Sequence, residues 1–144
     1  WLPRFRRGQL APRLLSAPTP AEPFERGVRV VVADTIESIV MDTERDVVLM
    51  LYSSVGCPPC EDMLPDFEDL ATRLKDVPTL TLGKLDAKDN GVPAQFALKI
   101  LPGLRLLKAG TNEMVEYRGS GSEVDMVAWM HLHAAHDFKD PKWL

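Results

Sequence analysis

Cys57 and Cys60 are three positions apart in a chain of 144 residues that contains no other cysteine. Their flanks constrain the fold more than the pair itself does. Residues 47–52 form an unbroken apolar run of strand length, the pattern of a central strand buried on both faces. After the cysteines, Met63, Leu64, Phe67, Leu70, Ala71 and Leu74 recur at helical spacing, so a long amphipathic helix runs to about Lys75. A buried strand that passes through a dithiol into a helix places both sulfurs at the helix N-terminus. Unpaired N–H groups and the positive end of the helix dipole favour a thiolate there. The thiolate is the attacking species in disulfide exchange, and the short spacing lets the second thiol close a disulfide or resolve a mixed one. Cys57 is therefore the expected attacking thiol and Cys60, one turn into the helix, the resolving one.

The remaining periodicities place further elements around this unit. Residues 28–32 are β-branched and short, so they read as a strand. Asp34 is expected to cap a helix whose apolar positions are Ile36, Ile39 and Val40. Residues 79–86 read as the next strand and residues 92–98 as a helix. Leu101-Pro102 interrupts the pattern before a strand at 104–108. The turn Ala109-Gly110-Thr111-Asn112 then leads into a partner strand near 114–118. Ser122 is expected to begin a terminal helix with Val124, Val127 and Met130 on one side. The order β-α-β-α-β-α-β-β-α predicts an α/β fold with a mixed central sheet flanked by helices, parallel strands first and a hairpin last.

The first 29 residues hold five prolines, six arginines and two acids, whereas the rest carry eleven basic and nineteen acidic side chains. That shift predicts a linker over residues 1–27, with a short helix near 9–16, then one domain over 28–138 and a tail over 139–144. The chain opens on Trp1 and reads as a segment of a longer protein, so missing targeting signals carry little weight. A formal net charge of −4 argues against a nucleic-acid partner. No apolar run approaches the ~20 residues that cross a bilayer, so no membrane partner is expected. A lone CxxC is also half of a zinc site, but the other soft ligands, His131, His133 and His136, do not share one helix face. They are read as surface or partly packed residues, and no metal is expected. Two purely structural cysteines remain an alternative.

With these features the sequence resembles the thioredoxin superfamily, and within it the last catalytic domain of protein disulfide isomerases. The resemblance covers nearly the whole chain. It rests on Val30-Val31-Val32 before a capped helix, Asp46-Val47-Val48-Leu49 entering the dithiol strand, the CxxC, and Pro65 five residues after Cys60. Lys84-Leu85-Asp86-Ala87 with Asn90-Gly91-Val92-Pro93, Leu101-Pro102, and Tyr117 with Gly119 complete it. Phe5, Gly8, Leu10, Pro12, Leu15, Ser16 and Pro18 resemble the family's interdomain connector. The resemblance implies a thioredoxin fold, a cis proline at Pro102 facing the dithiol, and thiol-disulfide oxidoreductase or isomerase activity on protein disulfides. It also implies cysteine-containing or unfolded protein substrates, residence in the endoplasmic reticulum lumen, and no cofactor beyond the redox-active Cys57–Cys60 pair. Substrate contacts fall to Gly56, Pro58, Pro59, Leu101 and Pro102.

Departures from the family pattern surround the dithiol. Gly56 stands where the family has Trp, and Pro58-Pro59 where it has Gly-His. Ungapped alignment puts Leu51 at the family's buried acid, and Gly121 or Ser122 at its arginine, with Arg118 the nearest substitute. Pro59 also lacks an N–H, and Glu61 and Asp62 add negative charge. The lost histidine, the missing N–H and the two acids disfavour the Cys57 thiolate, and loss of the buried acid is expected to slow resolution by Cys60, so a more reducing couple than the usual isomerase site is expected. The alternative function is a catalytically weak module that binds unfolded polypeptide or a partner protein.

Overall fold

The structure is a computed structural model, and it describes residues 15–98 and 100–141. Its strands are β1 (Phe24–Glu25), β2 (Val28–Val31), β3 (Asp46–Tyr52), β4 (Leu80–Asp86), β5 (Gly103–Leu107) and β6 (Met114–Glu116). Its helices are α1 (Ile36–Ile39), α2 (Pro58–Arg73) and α3 (Glu123–His133). The strands form one sheet in the order β1-β2-β4-β3-β5-β6. β2, β4 and β3 run parallel, while β5 and β6 form the antiparallel hairpin expected at the end.

β3 is apolar throughout its length after Asp46 because it lies between β4 and β5 with side chains buried on both faces. Val48 and Met50 face the cluster built with Phe67, Leu70 and Leu74 of the α2 segment and with Met126 and Met130 of α3. Val47, Leu49 and Leu51 face the opposite cluster, with Ile36, Val40, Leu85 and Phe96. Each fully buried Leu or Phe in these layers contributes roughly 1.5–3 kcal/mol from burial. The long helix therefore sits on one face of β3, and its first turn overhangs the C-terminal end of that strand. This is where open α/β sheets carry their sites.

Several elements differ from expectation. The sheet begins at β1, four residues before Val28: Arg26 (φ +53) and Gly27 (φ +83) make a two-residue turn with both φ positive, which joins β1 to β2. Asp34 does not cap α1 but lies exposed in a 3-10 turn, Ala33–Thr35. The Thr35 hydroxyl serves that turn instead, accepting the Val32 N–H (3.0 Å) and donating to the Val32 carbonyl (3.1 Å). The helix expected over 92–98 is only a 3-10 turn, Ala94–Phe96. Phe96 anchors it in the core, and Ala97 then turns extended (φ −60, ψ 139), which carries the chain away toward Leu101. On α3 the buried positions are Met126, Val127 and Met130, whereas Val124 is exposed. Ser122 does cap that helix, accepting the Asp125 N–H at 3.2 Å. The helix proposed near 9–16 falls almost wholly outside the described residues.

The segment at 15–17 is docked on the domain. Asn90 is buried, and its Oδ1 accepts the N–H groups of Ala17 and Ala33, both at 2.9 Å. The Gly91 N–H donates to the Leu15 carbonyl at 2.6 Å.

Candidate active site

Cys57 and Cys60 are joined in a disulfide, with Cα atoms 5.3 Å apart. Between β3 and the pair, Ser53 to Gly56 form a short loop. The Ser54 N–H donates to Asp86 Oδ1 (3.1 Å), and the Ser53 hydroxyl donates to the Val55 carbonyl (2.7 Å). Gly56 completes the loop at φ +65, a conformation that explains glycine here. Cys57 is the N-cap of α2, with Pro58 and Pro59 in its first turn. Proline fits that position because the first helical N–H groups lack an intrahelical partner in any case.

The prolines change what the helix start offers the sulfur. Pro58 and Pro59 have no N–H, and the next two donors, Cys60 N–H (3.0 Å) and Glu61 N–H (3.3 Å), both go to the Cys57 carbonyl. No first-turn N–H reaches Cys57 Sγ. Its polar neighbour is instead an acceptor: the Leu101 carbonyl oxygen lies 3.7 Å away. The Leu101–Pro102 peptide bond is cis, as the resemblance implied. Cys57 is 8% exposed and Cys60 2%. Pro58, Pro59 and Gly56 stand exposed around the pair, and so do Val55 and Ile100. The structure thus brings Cys57, Cys60, Leu101 and Pro102 together, with Gly56, Pro58 and Pro59 on the rim.

Below α2 the face-by-face packing corrects the register read from the sequence. Leu51 packs on the face away from α2, and its neighbour Met50, like Val48, lies on the face that the helix covers. Opposite Met50 in β4 is Lys84, whose side chain is 4% exposed. It pairs with Glu25 from β1 and with Glu68 from α2 at 3.5 Å. The hydrogen bond from Lys84 holds the Glu25 carboxyl below its ordinary value of 4.5. The nearby Tyr52 phenol is pushed up to about 12, chiefly by burial and then by Asp86. A buried ammonium on β4 is therefore paired with a carboxylate of the dithiol helix itself and with one from the edge strand β1.

The loop between β6 and α3 closes the site on its other side. Tyr117 donates to Asp125 Oδ2 at 2.5 Å and accepts the Gly121 N–H at 2.8 Å, while the Ser120 N–H donates to the same Asp125 oxygen at 3.0 Å. Burial first, and then the hydrogen bond to Asp125, push the Tyr117 phenol up to about 12. Gly119 must be glycine, because a Cβ there would collide with the Asp125 carboxylate and the Tyr117 ring. Arg118 pairs with Glu116 at 2.5 Å and does not line the groove beside the dithiol. Among the described residues, no group of three or more His, Cys, Asp and Glu is placed to hold a metal ion. His131 stacks on Phe138 with ring centroids 4.1 Å apart.

With a dithiol at the helix start beside a cis Leu-Pro on this strand order, the sequence over residues 27–132 matches the thioredoxin family. The chain belongs to the thioredoxin family. Within it, this thioredoxin domain is related to protein disulfide isomerases. It is 35% identical over 116 residues to a protein disulfide-isomerase of Aspergillus oryzae, covering 80% of the chain and 22% of that protein. It is 32% identical over 123 residues to protein disulfide isomerase-like 1-3 of Oryza sativa, covering 85% of the chain and again 22% of the relative. The chain therefore spans about a quarter or less of the length of these relatives. Among solved structures, the first thioredoxin domain of mouse protein disulfide-isomerase A4 superposes with a TM-score of 0.66 at 26% identity. That match covers 83% of this chain and 84% of the mouse domain.

Proposed function

We propose that this thioredoxin domain is a thiol-disulfide oxidoreductase acting on protein disulfides, with Cys57 as the attacking and Cys60 as the resolving thiol. The observation that carries the reading is the Cys57–Cys60 disulfide at the start of α2, with the Leu101 carbonyl 3.7 Å from Cys57 Sγ beside the cis Pro102. The greater exposure of Cys57 supports its role as the point of attack. In the reducing direction the Cys57 thiolate attacks one sulfur of a substrate disulfide. A Cys57–substrate bond forms, and the substrate S–S bond breaks, releasing a thiolate. Cys60, after losing its proton, then attacks Cys57 Sγ. The substrate leaves as a dithiol and the domain keeps both oxidising equivalents as its own disulfide. The reverse sequence oxidises a substrate dithiol.

An extended substrate segment would lie along the backbone of Leu101 and Pro102, with Gly56, Pro58 and Pro59 at its edge. Its cysteines would belong to unfolded or partly folded proteins in the lumen of the endoplasmic reticulum, the setting that the family resemblance implies. The couple is more reducing than a usual isomerase site. No first-turn N–H reaches Cys57 Sγ, and a carbonyl oxygen faces it. A less stabilised thiolate shifts the balance toward the disulfide.

Reduction of insulin by the domain, with Cys57→Ser as control, tests the activity. Turnover well above the control is expected. Turnover equal to the control overturns this reading and leaves a module that binds polypeptide without exchanging disulfides, which the poorly supported Cys57 also favours. Titration of the dithiol against glutathione tests the potential. A midpoint at or above that of a typical isomerase domain would sink the reducing assignment.

A further inference from the structure

Beside the dithiol lies a groove of about 620 Å³, between α2 and the loop that precedes α3. Near the cysteines its lining is apolar, with Pro59, Met63 and Pro102. The loop wall is small and uncharged, Gly119 to Ser122. The helix wall carries Asp62 and Asp66, four residues apart and hence on one face. Among the described residues, no lysine, arginine or histidine lines the groove. Three nearby carboxylates are engaged: Glu68 with Lys84, Glu123 with Arg73, Asp125 with Tyr117. Asp62 and Asp66 have no ion-pair partner among the described residues.

We propose that this groove makes the domain selective for substrate segments that carry lysine or arginine next to the reacting cysteine. The proposal rests on the oxidoreductase reading, since a substrate sulfur bonded to Cys57 sets the origin from which flanking residues run into the groove. The apolar lining takes any aliphatic stem, including that of a lysine, and the two carboxylates then meet its charged end. An acidic flank brings like charges together in the same space and is disfavoured. Asp62 and Asp66 are thus specificity-determining residues, on a helix that the dithiol itself opens.

The test uses three matched peptides whose single cysteine is disulfide-bonded to neutral thiopyridine and flanked by two lysines, two glutamines or two glutamates. Single-turnover rates with the reduced domain are expected in the order lysine, glutamine, glutamate. Two exposed charge pairs predict a lysine-to-glutamate ratio of roughly tenfold at low salt, shrinking at high salt. In the Asp62→Asn/Asp66→Asn variant the ratio falls toward one. Any effect of the carboxylates on the dithiol itself scales all three rates alike and is read from the glutamine peptide. A wild-type ratio near one, or an unchanged ratio in the variant, overturns the proposal. If all three rates equal the Cys57→Ser background, the oxidoreductase reading fails. The same peptides with alanine for cysteine are then titrated against the oxidised domain. Binding that favours lysine only in the wild type upholds the groove, and equal binding of all three overturns it.

Discussion

The two ends of β3 handle their polar groups in opposite ways. At the N-terminal end the buried carboxylate of Asp46 accepts the Ala109 and Ala135 N–H groups at Oδ1 and the His136 N–H at Oδ2, each at 2.9 Å. One side chain there ties the central strand to the β5–β6 connection and to the segment after α3. At the C-terminal end, Cys57 Sγ receives no first-turn N–H and faces a carbonyl, and Asp62 and Asp66 have no cationic partner among the described residues. A fully paired carboxylate closes one end of the sheet, and under-supported groups gather at the other. Stability is concentrated where the chain must be held, and reactivity where groups are left available for a partner molecule.

Asp46→Ala should break the comparison most severely, because it strands three N–H groups in a partly buried site. A loss of about 4 kcal/mol is expected, read as a lower urea midpoint. Asp46→Asn, which keeps the Oδ1 acceptor, should lose about half as much. In both variants the alkylation rate of reduced Cys57, measured well below the midpoint, should stay within about twofold of wild type, since the two ends are separate. A large change in that rate would show that they are coupled.

Pro59→His sharpens the other end. It restores an N–H in the first turn and adds an imidazole beside the sulfur. Alkylation of reduced Cys57 at pH 7 should accelerate about tenfold, and the glutathione midpoint should move to a less reducing value. No change in either would mean that the prolines do not set the reactivity.

The smallest effect concerns the charges beneath α2. Lys84 depresses the Glu25 carboxyl, so this pair contributes stability above the ordinary pKa of 4.5 and loses it as pH falls through the lower folded value. Glu25 is 63% exposed at its side chain, which limits the pair to about 0.5 kcal/mol. The gap between the unfolding midpoints of wild type and Glu25→Gln should therefore be present at pH 7 and close in acid. A gap that persists at pH 2 would place the effect in packing of the β1 turn instead.

How much of this was legible in the sequence depended on the range of the interaction. The β3 run, the α2 stripe and the Ser122 cap are short-range patterns, and each appears where its spacing puts it. The 92–98 helix failed because a single anchor, Phe96, decided the segment, and one residue has no period. Val124 failed because α3 is apolar on both sides, so its pattern does not select a face. Arg26-Gly27 is a weak turn signal beside Asn-Gly, and the β1 strand it creates is two residues long. Lys84, Glu68 and Asp46 gave no local signal, since a charge in a sequence does not show whether it is buried.

The sequence by itself determined that two thiols open a helix directly after a buried strand, because strand, dithiol and helix are contiguous and their periods differ. Only the tertiary structure decided what Cys57 meets there. The Leu101 carbonyl comes from 44 residues away. The choice of Met50 over Leu51 beneath α2 depends on which face of β3 the helix covers, and the groove depends on a loop held by Tyr117 and Asp125. Contacts of that range are set by sheet order and helix packing, which no local period encodes.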